Sequence, residues 1–175
     1  SNYNIMKKII VLGPSGTGKT TIGRDLGEKL DLEVLHLDSV YWQKDWKHID
    51  KKEFDLWMRN FLTKNDRFVI DGNYTNNKHF KYRLDIADTI IFLDFGTEKA
   101  LKGIYERARK FKHQVRSDMA EGCVEGIDQV FLKYVASYYK FRAKYLMAII
   151  KEYENRKNVL IFKTREELYN WYNSL

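Results

Sequence analysis

Short apolar runs and longer stretches of helical spacing alternate along this chain. Lys8-Ile9-Ile10-Val11-Leu12 is continuous and rich in β-branched residues, as a strand buried on both faces requires. A glycine-rich turn follows, and Thr20 to Leu30 then sets Ile22, Leu26 and Leu30 on one helical face. Val34 to Leu37 reads as a second strand. Asp50-Lys51-Lys52-Glu53 has the form of a capping box with Asp at the cap. It opens a helix on which Phe54, Trp57, Met58, Phe61 and Leu62 recur at helical spacing. Phe68-Val69-Ile70 reads as a third strand, ended by Asp71-Gly72-Asn73. Thr89 to Leu93 reads as a fourth, ended by Asp94. Thr97 is placed to cap a helix carrying Leu101, Ile104, Tyr105 and Ala108. From about Phe111 to Gly126 the periodicity disappears and the residues turn polar and basic. It resumes from Ile127 to about Tyr153, with Val130, Phe131, Tyr134, Tyr138, Phe141, Tyr145 and Ile149 as a core-facing stripe. Val159 to Phe162 is a fifth strand. Thr164-Arg165-Glu166-Glu167 is a second capping box, before a last helix with Leu168 and Trp171 inward. Strands alternating with helices predict an α/β fold, a doubly wound five-stranded parallel sheet.

At 175 residues, with 44% hydrophobic and 31% charged positions, the expectation is one globular domain over residues 1–175. Cys123 is the only cysteine, which excludes an internal disulfide framework and a multi-cysteine zinc site. It reads as a small buried residue. Apolar runs fall short of a membrane span and nothing has the form of a secretory leader, so a cytoplasmic location without a membrane partner is expected. Against 24 acidic residues stand 31 Lys and Arg, a formal +7. That charge attracts polyanions of any kind, nucleic acids and phosphorylated small molecules alike.

One motif is more specific than the charge. Gly13-Pro14-Ser15-Gly16-Thr17-Gly18-Lys19-Thr20 matches G-x-x-x-x-G-K-[ST] in full, between a strand and a helix. Gly13, Gly16 and Gly18 let the backbone curl, so that N–H groups from Ser15, Thr17 and their neighbours point at phosphate oxygens. The helix starting at Lys19 adds its positive end, with Thr21 beside Thr20 in the nucleotide-binding set. Lys19 supplies charge to the β- and γ-phosphates, and the Thr20 hydroxyl is the expected Mg²⁺ ligand. ATP and Mg²⁺ are the cofactors this implies. A GTPase would need N-K-x-D, whereas Asn77-Lys78-His79-Phe80 lacks the Asp and Thr63-Lys64-Asn65-Asp66 lacks the Asn. A small phosphotransferase fits the length.

Over nearly its whole length the chain resembles the DNA topology modulation (FlaR-related) family, kinase-like relatives of adenylate and shikimate kinases. The residues carrying the resemblance are the phosphate loop, Leu35-His36-Leu37-Asp38 with Tyr41-Trp42, Ile70-Asp71-Gly72-Asn73-Tyr74, Arg83-Leu84 with Ala87-Asp88, and Arg116-Ser117-Asp118-Met119-Ala120-Glu121-Gly122-Cys123. It implies a P-loop NTPase of adenylate kinase-like, three-layer form with a short lid at about 109–126. It implies Asp71 as a Walker-B-like Mg²⁺ residue, the alternative being a strand-end turn residue, with Asp94 as its rival. Asp38 would bind the phosphoryl acceptor and take or orient its hydroxyl proton. In related kinases one lid Arg stacks on adenine and another neutralises the transferring phosphoryl group. Arg107, Arg109 and Arg116 are the candidates, and Arg107 and Arg109 cannot share a helix face. Tyr41, Trp42 and Trp46 either floor an acceptor pocket or, the favoured reading, pack their loop onto the core.

The chain also departs from the adenylate kinase pattern. No Arg follows Asp71-Gly72-Asn73-Tyr74-Thr75, and Asp38 to Asp66 holds only Arg59. Lys78, Lys81 and Arg83 are the substitutes for holding an acceptor phosphate. Two functions are therefore carried forward. One is a kinase acting with ATP on a small molecule or nucleotide, as a monomer or homodimer. The other is a nucleotide-dependent regulator binding DNA, prompted by the basic charge, the family name and the helix around Lys133, Tyr134, Lys140, Phe141 and Arg142.

Overall fold

The computed structural model describes residues 6–96, 102, 106 and 129–175, with backbone only at 129–132, 134, 135 and 138. In chain order it runs β1 (Lys8–Leu12), α1 (Lys19–Leu30), β2 (Glu33–His36), α2 (Leu37–Tyr41), a 3₁₀ turn (Lys44–Trp46), α3 (Lys51–Lys64), β3 (Phe68–Asp71), α4 (His79–Ile86), β4 (Thr89–Leu93), α5 (Gln129–Lys151), β5 (Asn158–Phe162) and α6 (Arg165–Asn173). The strands form one parallel sheet in the order β2-β3-β1-β4-β5. The chain reverses direction across the sheet at β1, and the crevice at the carboxyl ends of β1 and β3 opens there.

The period of two in each strand divides the core. Ile10, Leu12, Ile70, Ile90 and Phe92 pack with α3, α4 and α5, through Phe54, Met58, Leu84, Leu146 and Ile150. Ile9, Val11, Val69, Ile91 and Leu93 pack with α1 and α6, through Ile22, Leu26 and Leu168. Burial on both faces is why the strands read as unbroken apolar runs. On one side α1 comes unusually close. A Cβ at Gly27 would run into the Val34 side chain and lie 3.2 Å from the Leu32 carbonyl oxygen.

Several expectations need correction. The second strand ends at His36, because Leu37 already begins α2. Asp50 precedes α3 as expected, but its side chain makes no capping hydrogen bond. Thr164 does cap α6, accepting from Glu167 N at 3.0 Å, while Glu167 Oε2 accepts from Lys163 N. On the described part of α5 Ile149 packs against the core as expected, but Phe141 and Tyr145 do not lead the core-facing side. Leu146 and Ile150 are buried, whereas Phe141 is 81% and Tyr145 54% exposed. Both pairs have helical spacing, and the smaller Ala143 lets the helix settle on the face it shares with Leu146. Helix α4 has no counterpart in the sequence reading, because two of its four buried residues, His79 and Arg83, are polar. The helix expected after Thr97, the lid at 109–126 and Cys123 lie outside the described residues, although Lys102 and Glu106 are helical.

Gly27→Ala is expected to lower the unfolding free energy by roughly 1–3 kcal/mol, the usual cost of overpacking. Urea denaturation monitored by circular dichroism measures it.

Candidate active site

The phosphate loop leaves β1 at Leu12 and returns as α1 at Lys19. Gly16 and Gly18 hold φ of 83° and 91°, conformations that favour glycine. Thr17 is buried and its Oγ1 donates to Pro14 O at 2.7 Å, so its hydroxyl staples the loop internally. Lys19 Nζ donates to Gly13 O at 2.7 Å and Pro14 O at 3.0 Å, which holds the ammonium inside the curl.

Asn73 fixes the start of that loop. Its Oδ1 accepts from Gly13 N at 3.0 Å and its Nδ2 donates to Gly13 O at 2.8 Å. This reciprocal pair ties the residue after β3 to the residue after β1. The segment carrying Asn73 is held from behind by Arg83 of α4, which is fully buried. Arg83 donates to Gly72 O (3.2 Å), Asn73 O (2.7 Å), Tyr74 O (3.2 Å) and His79 Nδ1 (3.0 Å). Burial pushes its guanidinium down to about 9, still charged at neutral pH. Arg83 is therefore spent on backbone carbonyls and is not a substitute for an acceptor-phosphate Arg. Lys78 and Lys81 are exposed, and Arg59 is engaged with Asp55 and Tyr82.

The end of β3 brings Asp71 beside the loop. Asp71 is buried and hydrogen-bonded to His36 Nδ1 across the β2–β3 pairing. Helix α1 passes over it so closely that a Cβ at Gly23 would lie 2.8 Å from Asp71 Oδ2. Thr20 is three residues before Gly23 and so on the same helix face. Burial pushes the Asp71 carboxyl up, while His36 and Lys19 pull it back. Its rival Asp94 is paired instead with Lys163 at 2.6 Å and hydrogen-bonded by Tyr139.

Asp38 lies in the first turn of α2, where its Oδ1 accepts from Tyr74 OH at 2.5 Å. Burial and the neighbouring Asp38 push the Tyr74 phenol far up, so it remains a donor. Tyr74 holds a φ of 42°, a left-handed backbone uncommon for tyrosine. Lys19, Thr20, Thr21, Asp38 and Asp71 line one cavity of about 480 Å³, together with Ser15, Gly16 and Gly18. Gly72, Asn73 and Tyr74 complete the wall on the β3 side.

Glu106 and Arg165 also face this cavity and were not anticipated. The capping box marks where α6 begins, but only the chain's return along β5 brings Arg165 beside Gly18, 3.6 Å from where its Cβ would be. His36, Asn73 and Tyr74 were visible only as members of motifs, without roles. Arg107, Arg109 and Arg116 lie outside the described residues. Tyr41 packs against the core, but Trp42 and Trp46 do not: Trp46 is 80% exposed. The loop bends at Asp45 and Trp46 through positive φ, which turns the indole of Trp46 outward.

Asn73→Ala is expected to weaken binding of ATP by roughly tenfold, since two hydrogen bonds that hold the loop are lost. Isothermal titration calorimetry measures this. Burial and the Arg83 charge hold the His79 ring neutral, pushed down to about 3 from 6.5. Below about pH 6.5 the unfolded chain takes up this proton and the folded chain does not. Stability should therefore fall as pH drops from about 6.5 towards 3, with a contribution from this group of up to about 1.4 kcal/mol per pH unit. His79→Asn keeps an acceptor for Arg83 without the titration, and its unfolding free energy should have a shallower pH slope in that window.

No known protein-family profile matches the chain. Shikimate kinase of Aliivibrio salmonicida is 29% identical over 107 residues, covering 54% of this chain and 62% of that protein. Threonine synthase-like 1 of Mus musculus is 38% identical over 66 residues, 37% of this chain and 9% of that protein. The chain thus spans under two thirds of the first and less than a tenth of the second. Among solved structures, shikimate kinase from Acinetobacter baumannii in complex with shikimate aligns over 86% of this chain and 96% of its own, at 23% identity and a TM-score of 0.45. A gluconokinase from Sinorhizobium meliloti aligns over 58% of this chain and 65% of its own, at 14% identity and a TM-score of 0.44. No helix among the described residues is long and apolar enough to cross a membrane. With its phosphate loop between β1 and α1 of a parallel 2-3-1-4-5 sheet, and with shikimate kinases among its sequence relatives, the chain is an α/β P-loop NTPase of the kinase-like superfamily.

Proposed function

We propose that the protein transfers the γ-phosphoryl group of ATP to a hydroxyl group of a small molecule. The observation that carries this reading is the convergence of Lys19, Thr20, Asp38 and Asp71 on one cavity. The likeness to shikimate kinases supports it.

ATP suits the loop, because the left-handed turns at Gly16 and Gly18 curl its backbone into a cradle for phosphate oxygens. Thr20 and Asp71 offer a hydroxyl and a carboxylate to Mg²⁺, the few hard oxygens this ion usually takes from protein when phosphates supply others. Held there, Mg²⁺ would supply positive charge that offsets the negative charge of the phosphates. The chain's own residues do the rest. Asp38 accepts the proton of the acceptor hydroxyl as its oxygen bonds to the γ-phosphorus and the bond to the ADP oxygen breaks. Tyr74 orients Asp38 through the phenol that donates to it. Lys19 stabilises the negative charge on the group in transit. Either Arg107 or Arg109 on the nucleotide, and Arg116 on the transferring phosphoryl group, complete the proposal from the lid segment. Asn73 and Arg83 are positioning residues that act through the loop backbone.

The test is Mg²⁺-dependent ADP production from ATP with nucleosides, nucleoside monophosphates, small polyols and duplex DNA supplied separately. An acceptor-dependent rate is expected, lost at least a hundredfold in Lys19→Ala. Asp38→Asn should lower kcat by roughly 10²–10⁴-fold with little change in the KM for ATP. Full transfer by Lys19→Ala would overturn the reading. A response to DNA alone would favour the DNA-binding regulator instead.

A further inference from the structure

His36 ends β2 directly opposite Asp71 in the β2–β3 register. It does not line the phosphate cavity, but it touches a residue that does. Its Nδ1 is hydrogen-bonded to Asp71 Oδ2. An ionised carboxylate only accepts, so the ring proton of this contact sits on Nδ1. One of the two Asp71 oxygens is thereby committed to the neighbouring strand.

Helix α1 closes over the same oxygen. A Cβ at Gly23 would lie 2.8 Å from Oδ2 and 3.6 Å from the Asp71 Cβ. One turn further on, Gly27 makes a like approach to Val34 of β2. Two glycines on one helix face thus let α1 lie down on β2 and β3 where His36 and Asp71 meet. Oδ2 is held between an imidazole and a helix backbone, which leaves Oδ1 for the cavity that Asp71 lines with Lys19 and Thr20. Asp38, on the same cavity, is restricted in the same way, because its Oδ1 accepts from the Tyr74 phenol. Glu106, the third carboxylate facing it, is exposed.

From this arrangement we infer that His36 is a positioning residue that limits Asp71 to one oxygen at the cation site, and so selects Mg²⁺ over Ca²⁺. The inference rests on the kinase reading, in which a divalent cation accompanies the nucleotide, and adds which cation the site accepts and why. Mg²⁺ is small and takes about six oxygens in near-octahedral order, so a single carboxylate oxygen serves it. Ca²⁺ is larger and takes about six to eight, a number that carboxylates help to reach by giving both oxygens. With Oδ2 tied to His36 and covered by Gly23, Asp71 suits the first ion and not the second. A hydrophobic residue at position 36 would return Oδ2 to the carboxylate's own rotation and remove the distinction.

The test is isothermal titration calorimetry of the full chain with a non-hydrolysable ATP analogue, in saturating Mg²⁺ and, separately, in saturating Ca²⁺. The ratio of the two dissociation constants is read, so neither an acceptor nor turnover is needed. The wild type is expected to bind the analogue roughly tenfold more tightly with Mg²⁺, the scale on which a partner behind a metal ligand acts. In His36→Leu the ratio should fall to about one. His36→Asn, whose amide can set a donor where Nδ1 lies, should keep the preference. Gly27→Ala is the control for damaged packing alone: it strikes Val34 rather than Asp71, and should leave the ratio at its wild-type value. A ratio near one in the wild type would overturn the inference and leave the kinase reading standing. So would a preference that survives His36→Leu, is absent from His36→Asn, or is lost equally in Gly27→Ala. A wild type that binds the analogue with neither ion would remove the kinase reading, and this inference with it.

Discussion

A buried guanidinium, with no carboxylate among the described residues to receive its hydrogen bonds, organises this molecule. Taking a cation out of water costs several kcal/mol unless its donors are met. Arg83 meets that cost with the carbonyls of Gly72, Asn73 and Tyr74 and with the imidazole of His79. Three successive carbonyls turned toward one side chain force the backbone after β3 into a tight curl. Gly72 takes it up at a φ of 127°, and Tyr74 at 42°. With its carbonyl turned inward, Asn73 projects its amide onto Gly13, and Tyr74 projects its phenol onto Asp38. The phosphate loop and Asp38 are thus set by one charge that touches neither.

On the phosphate-loop side carboxylates gather around Lys19, a surrounding suited to a cation shared with phosphates. The His36–Asp71 pair belongs to this arrangement. Packed under Gly23 of α1, Asp71 has little water, and the imidazole from the neighbouring strand offsets part of the desolvation that pushes its carboxyl up.

Legibility in the sequence followed the chemistry of each element. The five strands could be read because both faces of a parallel sheet are apolar, which leaves a run no other element imitates at that length. α1 and α6 could be read from their apolar spacing, and α6 also from a cap that the structure contains. α4 could not, because half of its buried face is a histidine and an arginine. On α5 the helix was legible but part of its inward face was not: Phe141 and Tyr145 repeat with the same spacing as Leu146 and Ile150. Hydrophobicity favoured the aromatics, and the sheet accepted the aliphatic pair.

By itself, then, the sequence determined the phosphate loop, the succession of strands along the chain and the acids that follow β2 and end β3. Each of these is local: a loop whose glycines must turn left-handed, a run that must be buried, a polar residue where an apolar run stops. Only the tertiary structure decided which of those acids face Lys19. It also turned Arg83 from a ligand candidate into a buried support, made Asn73 the clasp of the loop, and brought Arg165 back beside Gly18. Those outcomes depend on strand neighbours in space. β3 lies next to β1 although a helix-containing connection of more than fifty residues separates them in sequence, and no spacing along the chain records that adjacency.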